Sequence, residues 1–241
     1  MQKASNDNKE NIEKQLFKNI VSLGYFCSVA IDLEKMGLRN YSLPFDWVVS
    51  SHFCFVLEAI KNRFSNLFLP SLLYQSKVNL KVYRNKKYMI DFYHDFNDFQ
   101  PLDKQLPFIK EKYERRIERF YETITKPTLF IRYVCSSPVY FSDQNESNEL
   151  VYIEKHYEEI YDFIKSFNKA NEIIFIGNEG IYSKKVKIYN VCKDKQDVVA
   201  RHPLFANCDL SSFLRTLITP QKNKIYFFIK KRIGSPLLRE W

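Results

Sequence analysis

Glycine is scarce in this chain, with 5 in 241 residues, which argues against flexible linkers and a repeat-rich barrel. Long apolar runs are missing too: none approaches the ~20 residues that a membrane-spanning helix needs. Met1 to Lys14 is polar and charged and lacks the apolar stretch of a secretory signal. The expectation is therefore a cytoplasmic protein without a membrane span, with residues 1–15 as a disordered leader and 16–241 as a single domain. Paired cysteine motifs are absent. The five cysteines (27, 54, 135, 192 and 208) are odd in number, scattered and never spaced as CxxC. That argues against a zinc site and a disulfide framework and predicts reduced thiols, with no metal and no cofactor. GxGxxG, P-loop, HExxH, GxSxG and EF-hand patterns are missing as well, so no nucleotide, metalloprotease, serine-hydrolase or calcium motif sets the function.

What remains is ordinary for a globular protein, with 45% hydrophobic and 27% charged residues, apart from a high aromatic share of 16%. The net charge of +9 admits anionic partners, although abundant Lys, Asn, Ile, Phe and Tyr also fit an AT-rich coding bias. The local excess at Lys222, Lys224, Lys230, Lys231 and Arg232 suits either an anionic partner or a solvated edge. Nucleic acid is not the expected partner.

Apolar strands at 19–23, 128–134, 172–177, 186–191 and 224–229 alternate with helical periods at 27–36, 52–63, 104–125, 148–167 and 209–218. The fold class is α/β: one domain with a mostly parallel sheet flanked by helices. Leu80–Tyr83 and Tyr88–Phe92 around Arg84-Asn-Lys-Lys87 predict an inserted β-hairpin.

The chemistry centres on Gly24-Tyr-Phe-Cys27, a turn from the first strand into the first helix. A thiol there meets the positive end of a helix, which favours thiolate and can steady an oxyanion with the amides of residues 24–27. The alternative is a small buried residue at a strand–helix junction. Of the four histidines, His94, beside Asp95 at the end of an apolar strand, is preferred over His202 as the base; His52 marks a helix start and His156 a solvent-facing helix. Asp46, between Phe45 and Trp47, either holds its loop or orients a catalytic imidazole, and Asp95 is a second candidate for that role. Arg132 inside an apolar strand needs an internal carboxylate or an anionic ligand, which makes it the leading anion-binding candidate. The helix arginines Arg115, Arg116 and Arg119 have glutamates at helical spacing.

Ser22-Leu-Gly24-x-x-Cys27, Leu38-Arg39-x-x-Ser42-x-Pro44-Phe-Asp-Trp47, His94-Asp-Phe96, Lys112-Tyr-Glu-Arg-Arg-Ile-x-Arg-Phe120 and Leu129-Phe-Ile-Arg132 occur in this order. Together they resemble a bacterial domain family of unknown function labelled "putative papain-like cysteine peptidase", over about residues 19–180. The resemblance implies a cysteine nucleophile with a histidine, carried onto Cys27 and His94 with Asp46 or Asp95 as third member. It also implies a setting in surface-polysaccharide biosynthesis. The chain lacks the Cys-Gly-Ser-Cys-Trp stretch of secreted papains. The reading is a cytoplasmic thiol enzyme, hydrolase or acyltransferase, with Gly24, Arg39, Trp47, Asp95 and Arg132 around a small-molecule or glycan substrate, including a phosphorylated donor. In the alternative, a non-covalent nucleotide-sugar transferase or binding protein uses Arg39, Arg115 and Arg132 for phosphate and keeps Cys27 as packing.

Overall fold

A computed structural model describes residues 16–134, 148–194, 197 and 199–217. The expected leader, the strand at 224–229, the basic C-terminal residues and Cys135 lie outside the described residues. In chain order the elements are β1 (Asn19–Ser22), α1 (Ser28–Lys35), β2 (Val48–Ser50), α2 (Phe53–Lys61), β3 (Leu73–Gln75), β4 (Tyr83–Asn85) and β5 (Ile90–Phe92). They continue with α3 (Leu102–Ile124), β6 (Thr128–Val134), α4 (Glu149–Lys155), α5 (Tyr157–Phe167), β7 (Glu172–Asn178), β8 (Ile188–Val191) and α6 (Cys208–Thr216).

The architecture is the expected α/β arrangement. β1, β6, β7 and β8 form a parallel sheet in that order. All seven residues of β6 and of β7 are buried, as a central parallel strand covered on both faces requires. Alternation sorts their side chains between two apolar layers. Leu129, Ile131 and Tyr133 pack with Val29 and Leu33 of α1 and Leu210 and Leu214 of α6. Phe130 and Val134 turn to the opposite layer, with Phe53 of α2, Tyr113 and Phe120 of α3, and Ile160 of α5. Arg132 shares that second face by the same two-residue period.

The hairpin is present but shifted, pairing Tyr83 with Phe92, Arg84 with Asp91, and Asn85 with Ile90. It belongs to a four-stranded antiparallel sheet, β2-β5-β4-β3. Opposed in register, the Arg84 guanidinium grips the Asp91 carboxylate through Nε and through Nη2, the latter at 2.6 Å. The expected helix over 148–167 is two helices. The chain leaves helical geometry at His156 (φ −108°, ψ 21°), which caps α4 and precedes α5. Among the described residues no helix is long and apolar enough to cross a membrane.

Candidate active site

The carboxyl end of β1 delivers the chain to a tight turn. Gly24 has φ +76°, and a Cβ there would collide with Ser50 Oγ, so two separate constraints call for glycine. Its N–H donates to Ser22 Oγ at 3.2 Å and its carbonyl accepts from Tyr133 N–H at 3.2 Å. The Gly24 amide is therefore committed to the turn, and the expected oxyanion donor set loses it.

Cys27 caps α1 from an αR conformation, and its carbonyl accepts from Ile31 N–H at 3.0 Å. The thiol is half-buried, and burial pushes its pKa up against the opposing pull of its own backbone N–H. A thiol whose pKa is raised by burial needs a base to act as a nucleophile.

Two cavities meet at Cys27. The larger, about 540 Å³, is lined by Cys27, Ser28, Tyr93, Asp197, Arg201 and His202 among others, a size within the usual range for small-molecule sites. The smaller, about 160 Å³, includes Trp47 and His94. Thus each candidate imidazole lines a different cavity that also includes the thiol. Among the described contacts neither one hydrogen-bonds to Cys27.

They differ in support. His94 is exposed and stands edge-on to Trp47, with ring centroids 6.2 Å apart. The Nδ1 of His202 lies 2.8 Å from Asp32 Oδ1, while the other carboxylate oxygen accepts Leu204 N–H at 2.9 Å. Lys35 Nζ lies 3.5 Å from His202 Nε2. A lysine ammonium can only donate, so Nε2 accepts and Nδ1–H donates to Asp32. Asp32 is fully buried, whereas the His202 side chain is half-exposed. The result is a fixed carboxylate and an imidazole oriented through Nδ1, with Nε2 as the acceptor nitrogen facing Lys35, the kind of support that a general base requires.

Asp32 was not singled out from the sequence, although its spacing marks it. It lies three residues after Val29 and four before Met36, so an acid falls on the apolar stripe of α1. Ser28 was missed too. It is 4% exposed, lines the larger cavity, and its hydroxyl has no hydrogen-bond partner.

The remaining candidates are engaged elsewhere. Asp46 accepts Leu43 N–H at 2.8 Å and pairs with Arg39 at 3.0 Å. Its described bonds hold the 39–47 loop, and none reaches a histidine. Arg39 also reaches Ser42 at 3.2 Å and Glu34 at 2.5 Å, and lies over the Trp47 ring at 5.1 Å. Trp47 in turn donates its indole N–H to Ser42 Oγ at 3.0 Å. Asp95 turns toward α3, accepting from Tyr113 at 2.8 Å and pairing with Lys112 at 2.5 Å.

Arg132 is wholly enclosed. It donates to Glu149 at 2.6 Å, to Leu23 O at 2.9 Å, to Ser50 Oγ at 2.7 Å and to Ser50 O at 2.9 Å. Of its two expected partners, the structure supplies the internal carboxylate. Arg115 pairs with Glu111 one helical turn away. Arg39, Arg115 and Arg132 are thus each paired with different carboxylates, and the phosphate cluster of the alternative reading has no counterpart in these contacts. No group of three metal-ligating side chains converges among the described residues.

Comparison with known families decides the chain's relationships. The family described as "Putative papain-like cysteine peptidase (DUF1796)" matches residues 18–160, more than half of the chain. The chain belongs to that family. The match contains Cys27 and Asp32 and ends before His202, so the family region carries the thiol and the carboxylate but not this imidazole. A curated relative, "Uncharacterized protein R408" of Acanthamoeba polyphaga mimivirus, is 32% identical over 176 residues, 64% of this chain and 73% of its own length. That relative is viral, not bacterial. No solved structure matches.

Proposed function

We propose that this member of the family is a cysteine-dependent hydrolase in which Cys27 is the nucleophile, His202 the general base and Asp32 the group that orients the imidazole. One observation carries the reading: a helix-start thiol and an imidazole already held by a buried carboxylate line the same 540 Å³ cavity. The family description independently supports a cysteine-dependent hydrolase, and its match over residues 18–160 does not reach His202.

In the proposed cycle, His202 Nε2 turns from Lys35 to take the Cys27 proton as the sulfur attacks an acyl carbon. The tetrahedral oxyanion accepts the Cys27 N–H and the Ser28 hydroxyl, both at the start of α1. Collapse breaks the bond to the leaving group, which takes the proton from His202 and leaves a thioester on Cys27. Water then loses a proton to His202 and releases the acid, restoring the thiol. If a sugar or other hydroxyl replaces water, the same chemistry is acyl transfer. The raised thiol pKa favours this order, with proton removal coupled to attack, over a resting thiolate.

The test is alkylation by iodoacetamide, followed by peptide mapping of each cysteine. In the wild type Cys27 should label faster than the exposed Cys192 and Cys208. His202→Ala should slow Cys27 at least tenfold, and Asp32→Asn should shift its pH–rate profile while leaving Cys192 unchanged. Equal labelling of Cys27 in wild type and His202→Ala would remove the base from the proposal. Slowing in His94→Ala instead would hand that role to His94.

A further inference from the structure

The smaller cavity beside Cys27 differs in character from the larger one. Phe26, Trp47, Val48, Val49, Tyr93 and His94 line it together with the thiol, and no Lys, Arg, Asp or Glu does. Its volume is about 160 Å³. A closed apolar cavity of about 150 Å³ is enough to bind benzene. The larger cavity, by contrast, is bordered by Ser28, Asp197, Arg201 and His202.

The slot wall is fixed in advance. Trp47 is held through its indole N–H by Ser42 and from its face by Arg39, and Arg39 is itself anchored by Asp46 and Glu34. Val48 and Val49 belong to β2, which pairs with β5, and Tyr93 and His94 directly follow β5. A preformed wall spares the ordering cost of binding. A charged group entering it would lose water and gain no opposite charge from the lining.

We propose that this slot is a specificity site for one uncharged aromatic ring of the substrate, seated beside the acyl carbon that Cys27 attacks. The polar remainder of the substrate then lies in the larger cavity, next to His202. The substrate class is an acyl compound with a ring close to its scissile carbonyl. The attack on that carbonyl rests on the nucleophile reading above; the affinity of the slot for a ring does not.

Two measurements separate these claims. In a Trp241→Phe background, where Trp47 is the remaining tryptophan, Cys27→Ser is titrated with phenylacetamide and with acetamide by fluorescence. Phenylacetamide should give a saturable change with at least tenfold tighter binding, weakened at least threefold by Phe26→Ala, whose side chain is partly exposed. Val49→Phe, which fills the slot, should abolish it. In parallel, wild-type Cys27 should react at least tenfold faster with N-benzyl iodoacetamide than with iodoacetamide. Equal responses to the two amides would overturn the slot, even if Cys27 labels rapidly with both reagents. A clear ring preference in the titration with a Cys27 slow toward both reagents would keep the slot and remove the nucleophile.

Discussion

Replacing Arg132 with methionine would remove the cation that ties β6 to the turn after β1, to β2 and to α4. Its four bonds reach Glu149, the Leu23 carbonyl, and the hydroxyl and carbonyl of Ser50. Deleting one partner of a buried ion pair costs about 3–5 kcal/mol, because the remaining charge stays buried. The carbonyls of Leu23 and Ser50 also lose a donor, at roughly 1–3 kcal/mol for each acceptor left unsatisfied. These losses overlap, so the expected total is ~4–6 kcal/mol, a large part of the ~5–15 kcal/mol that holds a typical domain folded. Urea denaturation followed by circular dichroism reads it directly. The double variant Arg132→Met/Glu149→Leu should recover roughly half of the loss, since the buried carboxylate is removed together with the cation while the two carbonyls remain short of donors. A single-variant loss below ~1 kcal/mol, or a wild-type stabilisation by inorganic phosphate that disappears with Arg132, would refute the structural role.

Two further perturbations probe the scaffold of the site. Gly24→Ala should cost about 2–5 kcal/mol in the same denaturation assay, because left-handed backbone contributes ~1–2 kcal/mol and overpacking against Ser50 ~1–3 kcal/mol. Measured against Ser50→Gly alone, which already lacks the Arg132 bond to Ser50 Oγ, Gly24→Ala should cost only the backbone part; no cost in that background would mean that the positive φ is free of strain. Burial lifts the Asp46 pKa to about 6, against the pull of Leu43 N–H and Arg39. The native state therefore holds that proton more tightly than the unfolded chain, whose aspartates titrate near ~3.9. The resulting stabilisation is complete below about pH 4 and is lost as pH rises through about 6, on the order of 2–3 kcal/mol. Stability measured from pH 4 to 7 should fall less in Asp46→Asn than in wild type; parallel curves would contradict the assignment.

The legible parts of the fold were those with a long, consistent period. Five apolar or aromatic residues among the seven at 128–134 made β6 plain, and the stripe from Ile109 to Ile124 made α3 plain. β2 and β3 escaped because three residues carry no recognisable alternation, although β2 supplies two walls of the slot. The break at His156 escaped because the residues on both sides keep helical character, so the periodicity ran through it.

The candidate site was half legible, for a related reason. Cys27 announced itself through a local strand–turn–helix pattern. His202 lies 170 positions from Asp32 along the chain, and nothing local says that the two meet. His94 looked stronger because a carboxylate is its neighbour in sequence, yet Asp95 turns to Tyr113 and Lys112. The Pro44-Phe-Asp-Trp segment reads as chemistry, but its polar groups bind one another and present Trp47 as a wall. Likewise, a cation inside a strand marks a need for a partner, while only the packing of α4 against β6 shows that Glu149 meets it.

The central claim is that Cys27 carries the acyl group with His202 as its base. It is tested most directly by brief exposure of the protein to p-nitrophenyl acetate, acid quenching and peptide mass mapping. The account predicts an acetyl thioester on Cys27 with a burst of nitrophenol. The adduct should be absent in Cys27→Ala, and both its formation and its hydrolysis should be slowed at least tenfold in His202→Ala. Acetylation confined to lysines, or a burst that survives in Cys27→Ala, would contradict it.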